Sequence, residues 1–195
     1  MKKNLFLVLA AGLLLAGCQE KQTPALSIDD ITTFATISGT ISYEMAVDTV
    51  PDAMLSMTVV KYDTLPLTNQ TVEIKVDASQ YSQNVWGIYK TFSAVTDSLG
   101  HFDIQVPVLA NATNFAITEI ALRPFYLNNY RVATPTYTYD PMTYTYKVIY
   151  NFTDEQVYFD GVLTTIMAPA NIYAGRTYFL GNELITAISF VTVGL

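Results

Sequence analysis

Thr36-Ile37-Ser38-Gly39-Thr40-Ile41-Ser42-Tyr43 alternates small polar and apolar residues without a break. In an extended chain successive side chains leave opposite faces. Ile37, Gly39, Ile41 and Tyr43 therefore share one face, and Thr36, Ser38, Thr40 and Ser42 the other, the pattern of a half-buried strand. The same period recurs along the chain. Val72-Glu73-Ile74-Lys75-Val76 alternates in the same way. Thr91 to Thr96 and Phe102 to Val106 flank a turn, with Phe102, Ile104 and Val106 pointing inward. Tyr144, Tyr146, Val148, Tyr150 and Phe152 form another apolar face, opposed by Thr145, Lys147 and Asn151. Leu184 to Val193 is apolar on both faces and reads as a buried central or closing strand. No stretch joins a helical period to caps. Eight prolines and nine glycines punctuate short β-rich runs, so the expected fold is all-β, an antiparallel sandwich.

Two segments carry a family resemblance. Leu65-Pro66-Leu67-Thr68-Asn69-Gln70-Thr71-Val72 leads into a strand, after Ile37 to Ile41 has opened the first one. Thr96-Asp97-Ser98-Leu99-Gly100-His101-Phe102-Asp103-Ile104-Gln105-Val106-Pro107 then carries Thr-Asp, two residues, Gly, one residue, Phe. This resembles the hairpin signature of transthyretin-like (carboxypeptidase regulatory-like, prealbumin-like) sandwiches of the Ig-like class. The turn chemistry is sound on its own terms. Asp97 is suited to accept backbone N–H groups of the turn. Gly100 supplies the positive φ of a type I turn with a bulge. The resemblance spans about residues 34 to 123 and departs at Glu44 to Asp63 and over the last 70 or so residues. Pro124 to Pro141, with Asn128-Asn129 and Tyr-Thr alternation, reads as a linker or a long insertion. Residues 142 to 195 are marginal for an independent core. The expected organisation is a sandwich over 33–123 and a Tyr-rich β extension over 124–195 packed on the same sandwich.

The N-terminus reads as an address. Lys2 and Lys3 precede an apolar run from Leu5 to Leu15, too short for the roughly 20 residues that cross a bilayer core and suited to a secretory signal. It ends in Leu15-Ala16-Gly17-Cys18, which resembles the bacterial lipobox. The resemblance implies a signal peptide over 1–17 and a lipidated Cys18 whose acyl chains anchor the protein, each buried methylene contributing about 0.8 kcal/mol. Gln19, where an aspartate would retain such a protein at the inner membrane, implies the outer membrane of a Gram-negative envelope. Whether the body faces the periplasm or the cell surface stays open. Residues 18–32 form the expected flexible tether.

Composition narrows the function. With 10 Lys+Arg against 17 Asp+Glu the net charge is -7, which argues against nucleic acid as a partner. Charged residues make up 14% and apolar residues 51%, which argues against disorder. One cysteine and one histidine cannot build an internal disulfide or a cysteine-rich zinc site. His101 and Asp103 project from one strand face without a third catalytic partner. The spacing of Asp97 and Asp103 does not match an EF-hand calcium loop. Asp29-Asp30 and Asp154-Glu155 read as polar loops rather than as an acid/base pair. No metal, cofactor or enzymatic activity is expected.

The tyrosines remain. Seven of the fourteen fall between Tyr126 and Tyr150. Tyrosine joins a flat apolar face to a polar tip, useful against sugar rings or protein partners, and Tyr137, Tyr139, Tyr144 and Tyr146 are the candidate ligand-binding residues. Asp48-Thr49-Val50, Asp63-Thr64-Leu65 and Asp97-Ser98-Leu99 resemble an O-glycosylation motif of envelope-rich gut bacteria, and make Thr49, Thr64 and Ser98 candidate glycan carriers in or beside loops. The expected function is a lipid-anchored, non-catalytic binding, adhesion or assembly module whose partners are envelope proteins or glycans. The alternative is a glycan-binding accessory of a polysaccharide uptake system.

Overall fold

The computed structural model describes residues 28–52, 57–77, 89–109, 117–163, 169 and 172–192. Among them the protein is all-β. The strands are β1 (Phe34–Asp52), β2 (Met57–Pro66), β3 (Thr71–Asp77), β4 (Tyr89–Val95), β5 (His101–Pro107), β6 (Ile117–Leu122), β7 (Phe125–Asp140), β8 (Thr145–Phe159), β9 (Thr177–Ile185) and β10 (Val191–Thr192). Their order is β2-β1-β5 with β9 also on β1, β4-β3-β6, and β10-β8-β7.

The alternation in β1 sets the core. Ile37 and Ile41 are buried, and so are Val72, Ile74 and Val76 of β3 and Phe102, Ile104 and Val106 of β5. All belong to one apolar cluster, so the β1 and β3 sheets face each other across it. Burial of each such Val or Ile side chain is worth about 1.5–3 kcal/mol. Gly39 lies opposite Phe102 in the ladder. A Cβ on Gly39 would sit 2.8 Å from the Phe102 ring, so the glycine is the floor on which that ring rests.

The β4–β5 turn follows the sequence chemistry. Asp97 Oδ1 accepts N–H groups from Leu99 at 2.8 Å and His101 at 2.9 Å. Those bonds, His101's first, hold the Asp97 carboxyl below its usual range. Gly100 has φ 75°. Its carbonyl accepts the Ile41 N–H at 2.8 Å, and the Ile41 carbonyl accepts the Leu67 N–H at 3.0 Å. Both groups of Ile41 leave the same edge of the strand, so this edge of β1 passes from β5 to β2 at that residue.

Several expectations are corrected. The sandwich is not wholly antiparallel, because β9 runs parallel to β1; alternation marks a strand but not the direction of its partner. The Glu44 to Asp63 departure is the far half of β1 together with most of β2, an antiparallel ribbon with a bulge between Ala46 and Asp48. Pro124 to Pro141 is not a linker. It is β7, paired along its length with β8, and Pro135 is tolerated because β7 is an edge strand. Leu184 to Val193 is not one buried strand. β9 stops at Ile185, a 3₁₀ turn spans Ala187–Ser189, and β10 follows; Leu184 and Val191 are exposed, since apolar content without alternation cannot fix a strand's length. The stretch read as tether to residue 32 is docked by Ile28. A 3₁₀ turn over Ile28–Asp30 buries Ile28 beside Ile31 in the core, and Asp29 pairs with Lys90 of β4.

Two long ribbons, β1/β2 and β7/β8, extend from the sandwich. At roughly 3.3 Å per residue, the 19 residues of β1 reach on the order of 60 Å from the docked N-terminal turn to Asp52. A bulge between Leu127 and Tyr130 fastens the second ribbon to the first. Asn129 takes φ 57° there, a conformation asparagine accepts more readily than most residues. The bulge turns Tyr130 inward. Tyr130 is 3% exposed, and its hydroxyl donates to the Glu44 carbonyl of β1 at 2.7 Å. Phe190 closes over its ring at 4.8 Å and over Phe159 at 5.8 Å.

Candidate binding surface

The free end of the β7/β8 ribbon gathers the four candidate tyrosines. Tyr139 lies opposite Tyr146 in the ladder, with ring centroids 5.3 Å apart and planes at 55°, a tilted aromatic pair. Exposure runs 65% at Tyr137, 47% at Tyr139, 82% at Tyr144 and 69% at Tyr146, so these rings face solvent rather than fill the sandwich. The expected apolar face of β8 is thus split. Tyr146 is exposed, while Val148, Tyr150 and Phe152 are half-buried toward the sandwich end.

The turn that joins the strands is built by Asp140, whose Oδ1 accepts the Met142 N–H at 2.8 Å, and by Thr143 and Thr145, whose hydroxyls meet at 2.7 Å. It leaves Tyr144 with φ 55°. For a bulky residue this left-handed conformation is an outlier, of order 1–3 kcal/mol. Glycine or asparagine would fold the turn with less strain.

Beside this turn lies the end of the β1/β2 ribbon. Pro51, Asp52, Met57 and Thr58 from one ribbon and Asp140, Thr145, Tyr146, Lys147 and Val148 from the other line a cleft of about 470 Å³. Asp52, Asp140 and Lys147 were not reachable as site residues by sequence reasoning. The one local signal was Asp140-Pro141, a turn-initiating pair; their meeting with Asp52 depends on how two ribbons lie together.

The other candidates are dispersed. Asp97 and Gly100 shape the β4–β5 turn. Ser98 is exposed in that turn. Thr49 and Thr64 are not in loops: they lie within β1 and β2, half-buried and exposed respectively, because β1 runs on to Asp52 and β2 begins at Met57. His101 Nε2 lies 3.3 Å from Asp103 Oδ1 on the solvent face. Asp154 and Glu155 also lie in a strand, β8, where Arg131 reaches Asp154 at 3.4 Å and Thr153 donates to Glu155 at 2.9 Å. Among the described residues no group of three or more His, Cys, Asp or Glu side chains is gathered to hold a metal ion, and no helix is long and apolar enough to cross a membrane. Cys18 and the signal segment lie outside the described residues.

With that geometry in hand, comparison with known proteins gives no match to a family model, a curated protein or a solved structure.

Proposed function

We propose that this protein is a lipid-anchored outer-membrane protein of the Gram-negative envelope. Its sandwich, of transthyretin-like kind over residues 33–123, carries a non-catalytic binding surface at the end of the β7/β8 ribbon. The lipobox ending in Cys18 supports the anchor. The docked turn at Ile28 and the roughly 60 Å reach of β1 support a surface held away from the membrane.

The observation that carries the reading is Tyr144. It is the most exposed of the four tyrosines and stands in a strained conformation at the apex of the ribbon. Strain kept where folding would prefer glycine points to a purpose other than folding. Tyrosine is also the residue type that gives large contact area at low entropic cost. The role is adhesion or assembly against an envelope protein or glycan. A second reading, a glycan-binding accessory for polysaccharide uptake, is favoured by the mixed polar and aromatic cleft beside the turn.

The test presents the lipidated protein, reconstituted in liposomes, to outer-membrane vesicles of the cells that make it. Co-sedimentation is expected, and the paired Tyr137→Ala and Tyr144→Ala variant should lower it at least tenfold. Unchanged co-sedimentation by that variant overturns the reading.

A further inference from the structure

Open sheet edges invite pairing, and proteins guard them with proline, charge, bulges or short length. Pro135 interrupts β7. A bulge across from Ser38 and Thr40, where Gly181 takes φ 103°, breaks β9. β2 carries the Lys61–Asp63 ion pair, and β4, β5 and β6 have seven residues or fewer. β8 differs. From Thr145 to Thr153 it holds no proline or glycine and one charge, Lys147, and it is rich in the β-branched and aromatic residues that suit a sheet. Its ladder with β7 runs without a shift from Thr145 to Glu155. On its other side β10 pairs with Tyr158 and Val157, and among the described residues no strand pairs with Thr145 to Thr153 there. Alternate residues of an antiparallel strand turn their N–H and C=O away from the first partner, so this edge offers a row of backbone donors and acceptors. None of Thr145 to Thr153 is buried. Lys147 is also the lysine among the described residues without a carboxylate partner, since Lys61, Lys75 and Lys90 pair with Asp63, Glu119 and Asp29.

We infer that this edge of β8 pairs antiparallel with the same edge of a second copy held on a facing membrane, a deepening of the adhesion reading that rests on it. A two-fold axis normal to the ribbon makes an edge strand its own partner, and the residues suit a register about Tyr150. The two Tyr150 side chains then stand opposite each other, and Val148 stands opposite the partner's Phe152, so the ring faces of both ribbons join into one. On the other face Ile149 meets the partner's Asn151. Lys147 meets the partner's Thr153 and lies diagonal to the partner's Glu155, within reach of a long side chain, while the two Lys147 stay apart. Thr145 falls opposite the partner's Glu155, so the pairing ends before Val157, where β10 begins. Antiparallel pairing points the two ribbons in opposite directions. The tether enters at Ile28, beside the start of β1, whereas the β7/β8 apex lies near Asp52 at the far end of that strand. The two tethers therefore leave from opposite ends, a geometry suited to contact between two membranes.

The experiment places the full lipidated chain in two populations of phosphatidylcholine liposomes. One carries a biotinylated lipid for capture on beads, the other a fluorescent lipid, and the captured fluorescence is read after mixing. Wild type should capture at least tenfold more than protein-free liposomes. Tyr150→Lys on both populations should lower capture at least tenfold, because like charges then stand directly opposite, and Tyr150→Glu on both should do the same. Tyr150→Lys liposomes mixed with Tyr150→Glu liposomes should recover capture to within threefold of wild type, which a merely misfolded variant could not do. Tyr89→Lys, on β4, should leave capture unchanged. No capture by wild type, unchanged capture with Tyr150→Lys on both populations, or no recovery in the mixed pair overturns the inference. Outer-membrane vesicles from cells deleted for this chain separate it from the tip reading. Co-sedimentation with those vesicles that is lost with Tyr137→Ala and Tyr144→Ala, while the liposomes fail to capture one another, sinks the pairing and leaves the tip reading standing. Liposome capture through Tyr150, with co-sedimentation insensitive to the tip pair, does the reverse.

Discussion

Replacing Gly100 with alanine strikes the point where β1 changes partner. The substitution adds one methyl group, yet two separate penalties follow. The first is conformational: φ is 75°, and an L residue there costs about 1–2 kcal/mol. The second is steric: the new Cβ would stand 2.2 Å from the Ile41 carbonyl oxygen, a backbone atom, and 3.2 Å from the Leu67 nitrogen. Relief means moving the turn off β1, which strains the bonds Ile41 makes to Gly100 and Leu67, each worth about 0.5–1.5 kcal/mol net. Together the loss is about 3 kcal/mol, or roughly 6–12 °C in melting temperature for a body of this size. Gly175 is the matched control. Its φ is 73°, and nothing lies within 4 Å of its would-be Cβ, so Gly175→Ala should lose only the conformational part. Thermal and urea unfolding of the two variants against wild type measure the difference. If Gly100→Ala unfolds with Gly175→Ala, the steric argument fails, and with it the role of Gly100 in setting the strand exchange.

Tyr144→Asn should stabilise the protein by about 1 kcal/mol in urea unfolding while weakening vesicle binding; equal or lower stability would remove the strain argument. Burial first, then the neighbouring Tyr62, Glu44 and Tyr43, push the Tyr130 hydroxyl up to about 12. Since the folded value is raised, its stabilisation is complete below pH 10 and is lost as pH climbs from 10 toward 12. Tyr130→Phe should therefore cost about 1 kcal/mol at neutral pH and show a shallower alkaline decline by circular dichroism; a decline as steep as wild type would contradict this. Cys18→Ala should leave an unprocessed or unlipidated form on fractionation, and cleavage and sorting like wild type would end the anchor assignment. Intact mass of protein from the cells that make it should exceed chain plus lipid, with exposed Ser98 and Thr64 as the accessible hydroxyls; a mass equal to chain plus lipid rules out glycosylation.

The all-β class and the strands of the core were legible because their information is local. Ile37 and Ile41, Val72 to Val76 and Phe102 to Val106 each announce a buried face by alternation, and Asp97 with Gly100 announces a turn by its chemistry. What failed was long-range. β9 alternates no more clearly than the residues after it, so neither its end at Ile185 nor its parallel alignment with β1 could be read. β7 was hidden by the prolines that flank it and by Pro135 within it, which an edge strand tolerates. Tyr137, Tyr139, Tyr144 and Tyr146 were visible as a cluster of one residue type. The cleft was not, because Asp52 and Lys147 are far apart in sequence and come to line one space only through the way the two ribbons lie together.

If the protein meets its partner through the apex of the β7/β8 ribbon, position 144 lies at the contact. A photo-crosslinking amino acid placed at position 144 in the cells that make the protein tests this directly. The control position is 89, an exposed tyrosine on β4 next to Lys90, which holds the N-terminal turn. Illumination should yield a discrete higher-mass adduct from position 144 and none from position 89. Adducts of equal yield from both positions, or from position 89 alone, would contradict the account.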